Sequence, residues 1–334
     1  MRNEVNKHFI EAYKEFHDQI TSTDPRFPEM LAVAAMGFSL GRENSIPILP
    51  EKVCHNFYIV LIGSAALSHK STAVKQVFLK LIDNKYRAPH FFSPEVFYHY
   101  ISENPKIILY FDEFDIFLNR MKRKYSYMSM FTNSLSSFYD CPEEFTVQSN
   151  QLMERNNPEG KLHIENVYPF VIGCITMEEL KKHLDPKIIK RGIFTRFLFI
   201  IATEVHFNAL RMVEEWKMLE IKKKTEILQE YLKKLSKTRV VFSWEEEARK
   251  HVGDYITTLI ERYKNNGMSK AVIGRSEVNI IKMANIYALN EVEIPEIKEQ
   301  QQIKAEVNKT SAQKAVTFIG KCIKDAIEIH KIVS

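Results

Sequence analysis

The chain has 334 residues, 45% of them hydrophobic and 27% charged, with a formal net charge of +5. That balance excludes a disordered or collagen-like chain and allows one large or two medium domains. The longest apolar runs, such as Phe197 to Ala202, are too short to span a bilayer, and no signal-peptide layout follows Met1. The four cysteines (Cys54, Cys141, Cys174 and Cys322) have no metal-ligand spacing and read as free thiols of a reducing cytoplasm.

In chain order, residues 5 to 42 read as helices, with Phe9, Ala12, Tyr13, Phe16 and Ile20 at helical spacing and a second apolar stretch opening at Pro28. Glu43 to Lys52, with Pro47 and Pro50, is a connector. A strand follows at 57–62, then a loop at 63–69 and a helix at about 70–82. A helix near 94–102, a turn at Ser102 to Pro105 and a strand at 107–111 come next. Phe114 to Asp140 is mostly helical with a basic centre, and 144–149 with 162–168 suggest a β-hairpin. Buried strands at 170–175 and 197–202 flank a helix at about 177–184. Long helices at 208–237, 244–263, 275–289 and 311–332 complete the chain. Alternating strands and helices imply an α/β fold with a mainly parallel sheet. The expected domains are a helical N-terminal extension (1–52), an α/β core (53–205) and a helical C-terminal subdomain (206–334).

Two segments carry chemistry. Gly63-Ser64-Ala65-Ala66-Leu67-Ser68-His69-Lys70-Ser71-Thr72 follows an apolar strand and opens a helix, the layout of a phosphate cradle. Lys70 would contact β- and γ-phosphates, and the Ser71 hydroxyl would ligate Mg²⁺. Ser64 and His69 stand where glycine is usual, so an ordinary strand-to-helix turn with a surface lysine is the competing reading. Lys106 to Phe111 is a buried strand that ends in Asp112 and Glu113. Asp112 would hold Mg²⁺ through water and Glu113 would orient or deprotonate an attacking water; helix capping is the alternative.

Three further positions stay open between two roles. Thr176 ends a strand expected beside the acidic one, as a polar contact near the γ-phosphate, a helix N-cap, or both. Arg196 precedes a buried strand, where it would reach a neighbouring subunit's γ-phosphate or form a plain ion pair. Arg120, Lys122, Arg123 and Lys124 stand beside Tyr125 and Tyr127. They read as contacts to a single nucleic-acid strand or as a solvated helix face, and Arg155 and Lys161 near the hairpin tip are a second candidate.

The ordered set resembles the P-loop ATPase module of phage and plasmid primase-helicases and primase-polymerases, an AAA+-like group. Asn56 to Gly63, His69-Lys70-Ser71-Thr72-Ala73, Tyr110 to Phe114, Phe138-Tyr139-Asp140, Ile172 to Thr176 and Gly192 to Phe197 carry the likeness, which covers about residues 25 to 290. Members of that group often lack the full glycine set before the lysine. Thr195-Arg196-Phe197 is also similar to a stretch of minichromosome maintenance helicases whose arginine acts in trans. The resemblance implies ATP and Mg²⁺ as cofactors and a homo-oligomeric ring, expected to be a hexamer. It further implies single-stranded DNA as partner and the cytoplasm of a phage, plasmid or prokaryotic host. It makes Arg275, read as opening a helix at Ser276, the analogue of a second sensor arginine, with a surface arginine as the alternative. No primase motif is visible, so a primase-polymerase domain or subunit is an implied partner. The resulting expectation is an ATP-hydrolysing, helicase-like replication motor. The alternatives are a nucleotide-dependent DNA-binding or assembly protein with little turnover, and an AAA+ ATPase acting on protein.

Overall fold

The computed structural model describes residues 5–48, 51–65, 68–89, 93–122, 128–148, 159–184, 192–203, 214–264, 267–295 and 302–333. Two helices come first, α1 (Phe9–Ile20) and α2 (Arg26–Leu40). Every α2 residue except Glu29 is buried, as an all-round apolar helix requires. It starts two residues before Pro28, because the Asp24 carboxylate accepts the Arg26 backbone N–H at 3.0 Å. The connector folds into a short antiparallel hairpin, β1 (Ile46–Ile48) and β2 (Glu51–Val53).

Then come β3 (Tyr58–Ile62) and a helix α3 built of the consecutive turns Lys70–Thr72, Ala73–Phe78 and Leu79–Leu81, the middle one π-helical. α4 (Pro94–Glu103), β4 (Lys106–Phe111), α5 (Phe114–Lys122), α6 (Met128–Phe138), β5 (Glu144–Gln148), β6 (Lys161–Glu165), β7 (Tyr168–Ile175), α7 (Met177–His183) and β8 (Phe197–Ile201) follow. The C-terminal part holds α8 (Glu215–Leu235), β9 (Arg239–Trp244), α9 (Glu246–Tyr263), α10 (Gly267–Asn290), β10 (Gln302–Val307) and α11 (Lys309–Val333).

The fold is α/β, with a central parallel sheet of order β4-β7-β3-β8 between helices. Alternate residues of each strand supply two cores. Ile59, Leu61, Ile172 and Leu198 face α1, α2, α3 and the C-terminal helices in one apolar cluster. Val60, Ile62, Leu109 and Phe199 face α4 to α7 and the β5–β6 hairpin in the other. The N- and C-terminal segments therefore share one core over one face of the sheet. α11 packs against the edge strand β8. Its Asp325 accepts the Ile201 N–H at 2.9 Å and an Arg26 N–H at 2.8 Å, which ties both ends of the chain to that edge.

Three elements differ from expectation. Trp244 belongs to β9, not to a helix, and β9 pairs in parallel with β10, a segment to which the sequence reading assigned no element. The Glu245-Glu246-Glu247 run that follows Trp244 is a helix-start pattern, and the strand's partner lies some sixty residues downstream, beyond the reach of a local pattern. Arg275 lies inside α10 rather than opening it, because the helix begins at Gly267. No described helix is long and apolar enough to cross a membrane.

Candidate functional site

Parallel pairing places the ends of β4, β7 and β3 side by side at the carboxyl edge of the sheet, where open α/β sheets bind ligands. Ile62 is level with Ile175, and Phe111 with Gly173. Asp112, Glu113, Thr176 and Gly63 thus stand along one rim, with the Thr176 strand β7 beside the acidic strand, as expected, and also beside the loop strand. Gly173 is required there: a Cβ would lie 2.4 Å from the Phe114 ring, which packs α5 down and fixes the acidic pair ahead of it.

The loop closes on itself. Ser68 Oγ donates to the Ser64 carbonyl at 2.6 Å, and a Cβ on Gly63 would lie 2.5 Å from that of Ser68. His69 sits at φ 45°, ψ 21°, the left-handed region where glycine is usual, so this imidazole position carries backbone strain of about 1 kcal/mol. Lys70 is buried, and its ammonium donates to the Gly63 carbonyl (3.2 Å), the Ser64 carbonyl (3.0 Å) and Ser68 Oγ (3.3 Å). All three acceptors are neutral. Burial lowers the Lys70 pKa, with Cys174, Asp112 and Glu178 acting against that from a distance. Thr72 completes the first turn of α3, partly exposed. Ala66 and Leu67 lie outside the described residues.

Asp112 collects donors. Tyr110 Oη donates to it at 2.6 Å, Lys75 forms an ion pair with it, and the nearby Ser71 hydroxyl also favours its charged form. Burial opposes its ionisation, but these partners outweigh burial and hold its pKa below the usual carboxylate range. The hydroxyl of Ser71 and the carboxylate of Asp112 form a hard-oxygen pair of the kind Mg²⁺ takes. Lys75, one turn beyond Ser71, now supplies the positive charge there. Sequence reading missed Lys75 and Tyr110, although the four-residue spacing from Ser71 was a legible signal. Glu113 is exposed at the rim. The Thr176 hydroxyl accepts the Glu179 N–H at 3.1 Å, so the N-cap role holds and its own O–H remains free to donate. Beside it, Asp115, Glu179 and His183 bring their ligand atoms within 4.8 Å of one another, with Glu179 already bonded to His183 at 2.9 Å.

Arg196 and Arg275 lie elsewhere. Arg196 precedes Phe197, which is level with Tyr58, so it stands at the amino edge, about 20 Å of strand from Gly63. Its guanidinium donates to Asp140 (3.1 Å) and to the Gly192 carbonyl (2.8 Å), while its buried Nε has no partner among the described residues. Arg275 donates to the other Asp140 oxygen at 2.9 Å. The resemblance made Arg275 the analogue of a second sensor arginine, with a surface arginine as the alternative; in this structure it is part-exposed and shares the Asp140 carboxylate with Arg196. Both arginines lie over the Tyr139 ring, as does Lys282 at 4.0 Å. Asp140 had no assigned role, because nothing in the local pattern announces two arginines 56 and 135 residues away.

Of the nucleic-acid candidates, Arg120 and Lys122 fall on the last turns of α5. Arg123, Lys124 and Arg155 lie outside the described residues. Lys161 opens β6 and pairs with Glu159 at 2.7 Å, the two strands forming the expected hairpin. No protein-family model matches the chain, and no curated protein matches it either.

Proposed function

We propose that the chain is a P-loop NTPase of AAA+-like type, an ATP-hydrolysing motor that acts on DNA as a homo-oligomeric ring. The observation that carries this reading is Lys70: a buried ammonium on three neutral oxygens, at the N-terminus of α3, level with a carboxylate on the next-but-one strand. Such a cation lacks an anion, and a triphosphate supplies one. In this reading Lys70 holds the β- and γ-phosphate oxygens. Ser71 and Asp112 would hold Mg²⁺, which when bound neutralises phosphate charge. Glu113 orients the attacking water and takes its proton, and the free Thr176 O–H positions that water. Arg196 stands at the edge opposite its own loop, so any phosphate it reaches belongs to a neighbouring copy. Its unpartnered Nε and divided attachment leave it able to exchange Asp140 for phosphate. The helicase-type role, the single-stranded DNA contacts through Arg120, Lys122, Arg123 and Lys124, and the primase-polymerase partner belong to this same proposal and rest on the resemblance.

A second reading has its own support. Lys75 occupies the Asp112 carboxylate and His69 strains the loop, which favours a nucleotide-dependent DNA-binding or assembly protein with little turnover. Phosphate release with and without single-stranded DNA separates the two, with oligomer mass measured in parallel. A motor shows DNA-stimulated release that Lys70→Ala and Glu113→Gln each reduce by about 100-fold, and its mass rises with nucleotide. Nucleotide binding without release, in wild type and Glu113→Gln alike, selects the binding module.

A further inference from the structure

A cleft of about 580 Å³ opens where α2, the turn after α3, the first residue of β4 and the last turns of α8 meet. It lies at the amino edge of the sheet, at the β4 side, away from both the Lys70 loop and the Asp140 cluster. Its walls carry Lys85, Lys106, Lys233 and Lys237 against one carboxylate, Asp83. Lys85 and Asp83 are 3.9 Å apart, a loose exposed pair.

Lys106 is the informative side chain. Its ammonium lies 4.7 Å from the Phe38 ring centre and 5.6 Å from that of Tyr86. Among the described residues no hydrogen bond or ion pair reaches it, so ring faces are its nearest compensation. Burial lowers its pKa from 10.5 to about 8; Glu43 acts against this, and Lys85 adds to it. Four cations around one cleft, one of them partly stripped of water, make an arrangement that costs stability until an anion arrives.

We propose that this cleft binds a compact polyanion of the phosphate-ester class, at a site separate from the Lys70 loop. Lysine ammonium groups act as point charges and suit a ligand with several negative oxygens. The volume falls in the range of small-molecule sites. The inference stands apart from the phosphate-loop reading, because the two places are at opposite ends of the strands. Binding draws protons to Lys106. The charged groups that face it are Lys85 and Asp83 after α3, Glu43 after α2, Lys233 on α8 and Lys237 just after it. Affinity therefore falls as pH rises through about 8.

The test is calorimetric titration of the full chain with sodium tripolyphosphate, without divalent metal, in a Lys70→Ala background that silences the loop. Binding persists there, weakens at least about tenfold with added Lys106→Gln or with Lys233→Ala/Lys237→Ala, and returns with Lys106→Arg. From pH 7 to pH 9 the affinity drops about tenfold relative to Lys106→Arg, whose guanidinium stays charged. Lys233 and Lys237 are exposed, so their double variant reports binding even if Lys106→Gln misfolds. Loss of all binding in Lys70→Ala alone, or unchanged affinity in the Lys233/Lys237 variant, overturns the proposal. So does weakened single-stranded DNA binding with intact tripolyphosphate binding, which assigns the cleft to a nucleic-acid strand.

Discussion

The Lys70 loop and the Asp140 cluster, at opposite ends of the central sheet, treat charge in opposite ways. At the carboxyl edge Lys70 is buried on neutral carbonyl and hydroxyl oxygens. At the amino edge Arg196 and Arg275 share the carboxylate of Asp140, and Lys282 is buried on Asn56 and the Tyr139 ring. The Lys70 loop is open to an added anion, whereas the Asp140 cluster already holds a carboxylate between its two arginines. An unmet charge is what a binding site needs, whereas a met one fixes the fold and must be released before it can do anything else.

The largest expected effect lies at the amino edge. His55, fully buried just ahead of β3, has its pKa lowered from 6.5 to about 3, by burial first and by Lys282 second. Above pH 6.5 the imidazole is neutral in both folded and unfolded chains and costs nothing. Below 6.5 the unfolded chain gains a proton that the folded chain refuses until about pH 3, so stability falls across that window by at most about 5 kcal/mol. Urea unfolding at pH 7 and pH 4.5 measures this. A His55→Gln chain that loses as much stability as wild type would move the acid sensitivity to another group.

A smaller effect contrasts the two edges directly. Asp140→Ala removes two ion pairs and leaves two arginines without their carboxylate. Because the Asp140 side chain is 40% exposed, solvent screening keeps the cost to about 1–2 kcal/mol. Lys70→Ala removes three hydrogen bonds to neutral acceptors together with the desolvation cost of a buried ammonium, so without nucleotide the two offset to within about 1 kcal/mol, while on the proposed reading nucleotide affinity is lost. Thermal unfolding of both variants, with and without ATP, reads the contrast. Equal destabilisation in the two would mean that Lys70 serves the fold as much as Asp140 does.

How much of this was legible depends on whether the controlling contact is local. The strands read at 57–62, 107–111, 170–175 and 197–202 were visible because each is an apolar run bounded by turn residues, although Tyr168, read as the end of the hairpin, opens β7 instead. The rim of Gly63, Asp112 and Thr176 followed from them, since parallel strands align their carboxyl ends. The pairing of Arg196 with Arg275 was not legible, because it depends on how α10 is set against the turn before β8. Nor was the β9–β10 pair, whose partners are separated by two helices. Lys106 shows the same limit within one strand: it read as the polar start of β4, and only packing against Phe38 and Tyr86 reveals it as a cation short of an anion.

The smallest effect concerns His69, the residue that separates a working loop from a strained one. Its left-handed backbone costs a non-glycine residue about 1 kcal/mol. Glycine removes that strain but loses more entropy on folding, so His69→Gly should stabilise the chain by about 0.5 kcal/mol. The effect on phosphate release is the more telling measurement. If the imidazole crowds the phosphates, turnover rises several-fold in His69→Gly while Asp140-dependent stability is untouched, and the carboxyl edge alone limits the rate. If turnover stays flat while stability rises, the strain is purely conformational. On the proposed ATPase reading the limit then passes to Lys75, whose ammonium would have to leave Asp112 before a metal ion could share that carboxylate with Ser71.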